Sequence, residues 1–318
     1  NSDKKVLSLS LRQDWKHWPS YIESYIDEIN DADRVLIEIL YEAPLASIFD
    51  KIKYFITKHN LDFSKFLVIE AGLEKLDDFN SAFYPIFFYK TYDHQNIPID
   101  QRTHYYVSLG RVPRPARIVL TQEYFKRNIS EKGIISCHTQ LLENSINLKL
   151  IDDQFKDRFP VILPSEESLT QEQASWGHNR YFCNAIFNIV LESSIEKLAG
   201  ETDRDHWDRL FITEKTVKAF AYHQIPIFLA TMNHVKKLRE LGFDMFDDIV
   251  DHSYDLEPNV EYRIQKIADE IERICNLDFE LLKKLDIQTR LEYNADQVGV
   301  VFKQKEQEYL EKIQQFLG

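Results

Sequence analysis

The sequence predicts an α/β fold made of two successive units, each a parallel sheet covered by helices, with a helical tail. Three observations predict it. Short apolar runs alternate with segments of helical period; a polar stretch, Tyr92 to Arg102, interrupts the pattern, which then restarts; and the final part carries helical stripes alone.

In the first unit, Val6–Leu11 and Arg34–Leu40 are apolar runs suited to strands. Between them, Trp18 to Ile29 has apolar residues at 18, 21, 22, 25, 26 and 29, which predicts one helix. Leu45–His59 places Ile48, Phe49, Ile52, Phe55 and Ile56 on one face. Phe66–Glu70 reads as a third strand and Phe83–Tyr89 as a fourth. Strand–helix–strand order with short connections implies parallel pairing.

After the polar stretch come a strand at 104–109, a helix from Pro115 to about Asn128 and a strand at 133–137. Proline suits the first turn of a helix, where its missing N–H would have no partner. Residues 185–191 (AIFNIVL) form the next strand. Thr213 caps a helix to about His223, and strand Pro226–Ala230 and helix Asn233–Leu241 follow. Stripes at Ile264, Ile267, Ala268, Ile271 and Ile274, and at Tyr309, Leu310, Ile313 and Phe316, mark the tail. The expected division is 1–100 and 101–318, as two Rossmann-like domains facing a cleft. In open α/β sheets ligands bind outside the carboxyl ends of the strands, so the chemistry is sought there.

Composition narrows the chemistry. The chain has 318 residues and only eight glycines, where about 7 % is usual. Their spacing allows neither the G-x-G-x-x-G dinucleotide fingerprint nor a P-loop. Any phosphate must be held by side chains and helix ends. The net charge of −13 argues against broad, sequence-independent binding of nucleic acid, which needs a basic face. Three dispersed cysteines give no disulfide framework or zinc knuckle and fit a reducing, cytoplasmic setting. The start, Asn1 to Lys5, has neither a signal-peptide core nor an initiator Met and reads as trimmed. No run of about 18 apolar residues predicts a membrane span.

Against that acidic background two basic helix starts stand out. Arg111, Arg114 and Arg117 fall within seven residues in a strand-to-helix turn, and guanidinium groups match phosphate oxygens bidentately. Phe211-Ile212-Thr213-Glu214-Lys215-Thr216 places an acid and a base at another helix start, where unpaired N–H groups favour an anion. An ordinary capped helix and a solvated turn would carry the same residues; two such starts in one unit make a diphosphate site the more economical reading.

These segments carry a resemblance. Phe187 to Ser193, then Phe211-Ile212-Thr213-Glu214-Lys215, then Ile225-Pro226-Ile227-Phe228 resembles the donor-site region of the fucosyltransferase family. Tyr106-Val107-Ser108 with Arg117 and Gly133 is similar to that family's upstream block. The chain also resembles a group of phage and bacterial glycosyltransferase-like proteins with an Arg-Pro-x-x-Arg turn and a Thr-Glu-Lys-Thr helix start. The likeness covers roughly residues 104–250. It implies a GT-B fold with a nucleotide-sugar donor in the second half, its diphosphate contacted by Lys215 and Arg117 and its ribose by Glu214. Arg111, Arg114, Glu192 and Thr213 complete the expected donor site. Ser193 and Leu109 stand where the family has Asn, which leaves base and sugar open.

The expected activity is transfer of a sugar from a nucleotide-diphosphate sugar, a co-substrate with no further cofactor and no obligatory metal. The acceptor is a glycan, lipid, protein or modified nucleobase. Transfer needs a carboxylate to take the acceptor proton. Glu42 and Glu70, each just past a strand, are the candidates, Glu42 preferred. Asp203-Arg204-Asp205 has a metal–nucleotide form but is one chance match in a chain of 52 acids. A phosphorylase, an epimerase or a non-catalytic nucleotide-binding protein keeping the fold are the alternatives.

Overall fold

The computed structural model describes residues 4–10, 18–40, 45–72, 80–88, 97–112, 114–138, 147–163, 180–193, 195, 196, 198 and 210–318. Two four-stranded parallel sheets organise them. The first is ordered β1 (Val6–Ser10), β2 (Arg34–Ile39), β3 (Phe66–Glu70) and β4 (Ser81–Phe83). Helices α1 (Trp18–Glu23), α2 (Ile26–Asp31) and α3 (Leu45–Lys58) connect them. Side chains alternate across a strand, so Val35, Ile37, Phe66 and Val68 join one core with Ile48, Ile52 and Ile56 of α3. Leu36, Leu67 and Ala82 face the other way.

The second sheet is ordered β6-β5-β7-β8, from β5 (His104–Gly110), β6 (Gly133–Cys137), β7 (Ala185–Leu191) and β8 (Ile225–Leu229). Helix α4 (Pro115–Lys126) leads from β5 to β6, and α5 (Glu214–Ala221) from β7 to β8. Helix α6 (His234–Glu240) follows, then α7 (Val260–Cys275), which packs on α4. The predicted stripe of α7, Ile264 to Ile274, is buried in the larger core. Gly133 is dictated by packing: a Cβ there would lie 2.4 Å from the ring of Tyr106.

Helix α8 (Gln288–Leu317) belongs to both cores. Leu291, Val298 and Val301 lie in the second, while Tyr309, Ile313, Phe316 and Leu317 cover the free face of the first sheet. Its final carbonyls are capped by cations of the first unit: Arg34 Nε donates to Phe316 O (2.8 Å), and Lys4 Nζ to Leu317 O and Gly318 O. No described helix is long and apolar enough to cross a membrane.

Several predicted elements differ. The single helix expected over Trp18–Ile29 is two, broken at Ser24, whose hydroxyl donates to Tyr21 O (2.6 Å) and competes with the helical ladder. The fourth strand lies at Ser81–Phe83; Pro85 has no N–H for a ladder, and Ile86–Phe88 turns as a 3-10 helix. Arg102, expected in a polar linker, is 2 % exposed and donates to Ala185 O and Tyr222 O. Burial pushes its guanidinium down to about 10. In the tail stripe Leu310 is exposed and Leu317 takes its place.

Candidate functional site

The two sheets differ in one respect that locates a site. Strands of the first follow one another in order, so the described strands have no point where winding reverses. In the second, the chain steps from β5 to β6 on one side and from β7 to β8 on the other. With right-handed crossovers, α4 and α5 then lie on opposite faces, and the helix starts diverge from the carboxyl ends of β5 and β7. This is the position where open α/β sheets receive ligands.

The basic segments meet there. Arg114, at the N-cap of α4, donates through Nη1 to Ser193 O. Lys215 Nζ reaches Ser193 Oγ (3.1 Å), Thr213 Oγ1 (3.3 Å) and Glu214 Oε1 (2.8 Å). Ser193 lies just beyond β7, so both helix starts converge on one residue. Lys215, Arg111 and Arg114 are half-buried, while Glu214 is 6 % exposed.

Arg117 is placed differently. It is 5 % exposed, with Nη2 donating to Leu191 O (2.8 Å) and Glu192 O (3.0 Å) and Nη1 to Val112 O (2.9 Å). Its planar fork ties the end of β7 to the turn that carries Arg111 and Arg114. Gly110 makes room for this: a Cβ there would stand 3.2 Å from Ser136 O and from the Leu191 side chain.

Glu192 lies under the site at 1 % exposure. Oε1 accepts from Thr213 N (3.1 Å) and Thr216 Oγ1 (2.5 Å); Oε2 accepts from Thr213 Oγ1 (2.7 Å) and Ser193 N (3.2 Å). A buried carboxylate needs such donors, and a helix N-terminus suits its charge. Thr213, the N-cap of α5, also accepts from Lys215 N (3.2 Å). The amides of Thr213 and Lys215 are thus already given to side chains. The α5 start offers an incoming anion the ammonium of Lys215, which lies beside Ser193.

Thr216 extends this network inward. Its hydroxyl lies 3.2 Å from Nε2 of His234, a residue with no exposure that starts α6. Burial pushes His234 down to about 4, so the ring is neutral. Thr216 and His234 were not among the predicted site residues; the Thr at the fourth position of Thr-Glu-Lys-Thr was the one signal for the first.

Of the two carboxylates considered as base, Glu70 ends β3 in the other sheet at 2 % exposure, opposite Ile39 of β2. Glu42 lies outside the described residues, as does Asp203-Arg204-Asp205. The two units touch close to the site: Phe87 and Phe211 meet edge-on at 5.5 Å, two residues before Thr213. Among the described residues no group of three or more His, Cys, Asp or Glu is placed to hold a metal ion. A recess of 620 Å³ lies elsewhere, against Lys236, Arg239, Asp247, Asp251 and Arg273. Two of its cations are paired locally, Arg239 with Asp247 and Arg273 with Glu270.

Comparison with known proteins returns no matching family model, no matching curated protein and no matching solved structure.

Proposed function

We propose that the chain is a GT-B glycosyltransferase that takes a sugar from a nucleotide-diphosphate donor and places it on a glycan, lipid, protein or modified-nucleobase acceptor in the cytoplasm. The observation that carries this reading is the convergence of Arg114 and Lys215 on Ser193 at the reversal point of the second sheet. In an acidic chain these cations, with Arg111 on the same turn, supply the charge a diphosphate needs.

The residues divide the work as follows. Lys215, Arg111 and Arg114 take the diphosphate oxygens. Arg117 and Glu192 hold the two helix starts together from beneath. Glu214 accepts from the ribose hydroxyls, exchanging part of its pairing with Lys215 for the donor. As the glycosidic bond breaks, charge gathers on the leaving diphosphate, and fixed cations stabilise that charge more than they stabilise the ground state. Glu42, three residues beyond β2, takes the acceptor proton; Glu70 pairs with Ile39 in the same sheet and is the second candidate.

Ser193 and Lys215 do not form a nucleophile–base pair in this reading. Ser193 is 2 % exposed, and the ion pair with Glu214 makes Lys215 a cation rather than a proton acceptor.

Thermal denaturation with UDP, GDP, CDP and ADP, each in turn, tests the reading, followed by donor hydrolysis assays with the corresponding nucleotide sugars. Stabilisation by one nucleoside diphosphate together with turnover of its sugar supports it. No stabilisation by any of the four overturns it. Binding without turnover would make the chain a nucleotide-binding module on the same fold.

A further inference from the structure

Hydroxyl groups between a carboxylate and a histidine have little choice about where their protons go. Glu192 is an acceptor only, so the hydroxyls of Thr213 (2.7 Å) and Thr216 (2.5 Å) both donate to it. The oxygen of Thr216 then has lone pairs alone to offer His234 Nε2 at 3.2 Å, and Nε2 must carry the ring proton. Nδ1 is the bare nitrogen. It is buried and has no hydrogen-bond partner among the described residues.

The same ordering runs outward to the surface. With its proton committed to Glu192, Thr213 Oγ1 faces Lys215 with lone pairs only. It accepts from the Lys215 amide (3.2 Å) and from Nζ (3.3 Å). A continuous chain of hydrogen bonds therefore joins a fully buried imidazole to the ammonium at the head of α5. Its members come from three elements: α6, α5 and the end of β7.

We propose that His234 is a positioning residue for Lys215, acting through Thr216, Glu192 and Thr213 without touching any ligand. This rests on the reading of Lys215 as the diphosphate-binding cation. His234 keeps Thr216 pointed at Glu192, Glu192 keeps Thr213 an acceptor, and Thr213 holds Lys215 beside Ser193. A neutral ring is required, because a second ring proton would sit on the partnerless Nδ1. Charged or polar groups bearing on the ring are Asp255, which caps α6 through Val235 N (2.9 Å) and Lys236 N (3.0 Å), and Glu192 beyond Thr216. The Phe228 ring packs at 4.9 Å on its apolar side.

The test uses three variants of the whole chain: His234→Gln, which keeps a donor toward Thr216, His234→Met, which fills the space without one, and Thr216→Val, which breaks the chain in the middle. Whichever of UDP, GDP, CDP or ADP binds the wild type best is the probe, titrated by calorimetry against folded protein. His234→Met and Thr216→Val are expected to weaken binding about three- to tenfold. The double variant should lose no more than either single one, since both cut one chain. His234→Gln should bind within about twofold of wild type. A residue of purely structural importance would lower the melting temperature in His234→Met and leave the dissociation constant unchanged; that result overturns the proposal. If none of the four probes binds the wild type, the functional reading fails, and a second readout decides the positioning role. Competitive acylation of Lys215, followed by mass spectrometry across pH, should show a changed amine reactivity in His234→Met that is restored in His234→Gln. Identical reactivity in all variants overturns the proposal.

Discussion

Lys215 Nζ donates to Ser193 Oγ at 3.1 Å, so the cation at the head of α5 is held against the end of the strand before it. Arg114 reaches the same serine through its carbonyl. The consequence is that either cation can be removed without dismantling the other's support.

Replacing Lys215 by alanine should therefore reduce nucleoside diphosphate affinity about ten- to a hundredfold, the effect of losing a charge-assisted hydrogen bond of roughly 1.5–3 kcal/mol. Calorimetric titration of wild type and variant checks this. An unchanged dissociation constant would remove Lys215 from the site.

Glu192 is the opposite case, a residue whose loss should be felt in the fold. Glu192→Ala leaves Thr213 N, Ser193 N and two threonine hydroxyls without their acceptor. With each orphaned buried group costing about 1–3 kcal/mol, the expected loss is about 3 kcal/mol or more in urea denaturation. Glu192→Gln, which keeps one acceptor oxygen, should lose less.

Acid should weaken the protein through His234. Its folded pKa, about 4, lies below the ordinary 6.5, so between these values the unfolded chain binds a proton that the native state refuses. Stability is full above about pH 6.5 and falls as pH drops toward 4, by roughly 3 kcal/mol at most. His252 is lowered by burial too and adds in the same direction. The stability difference between wild type and His234→Gln, measured in urea at pH 7.5 and 5, should shrink by about 2 kcal/mol at the lower pH. A constant difference would contradict the neutral buried ring.

Phe316→Ala should destabilise the whole chain by about 3 kcal/mol, although it lies at the end of the last helix. Its ring is 7 % exposed against Leu67 and Ala82 and stands 5.3 Å below the Arg34 guanidinium. Denaturant unfolding followed by circular dichroism measures the loss; a change under 1 kcal/mol would mean that the first sheet holds without this cover.

The most legible strands were those buried on two faces, which the sequence writes as continuous apolar runs such as Phe66–Glu70 and Ala185–Leu191. The break at Ser24 was not legible, since the apolar spacing continues through it and the first helix ends on a hydroxyl bond to Tyr21 O and backbone bonds from Ser24 N to Tyr21 O and Tyr25 N to Ile22 O. At the site, the helix start at Thr213 with Lys215 and the arginine cluster at 111–117 could be read directly. Their meeting at Ser193 could not, because it follows from strand order β6-β5-β7-β8, which no local pattern encodes. Arg117 likewise looks like its neighbours in sequence; only the carbonyls of Val112, Leu191 and Glu192 around it distinguish an internal clamp from a surface cation.

Helix α8 also has a consequence for biosynthesis. Arg34 waits for a carbonyl 282 positions later, and Leu36, Leu67 and Ala82 wait for Phe316. On the ribosome, the earlier of the two sheets is the later to have its second face covered. Until residues 309–317 emerge, that apolar face is open to water and to chaperones, so the first sheet matures only after the second has been synthesised.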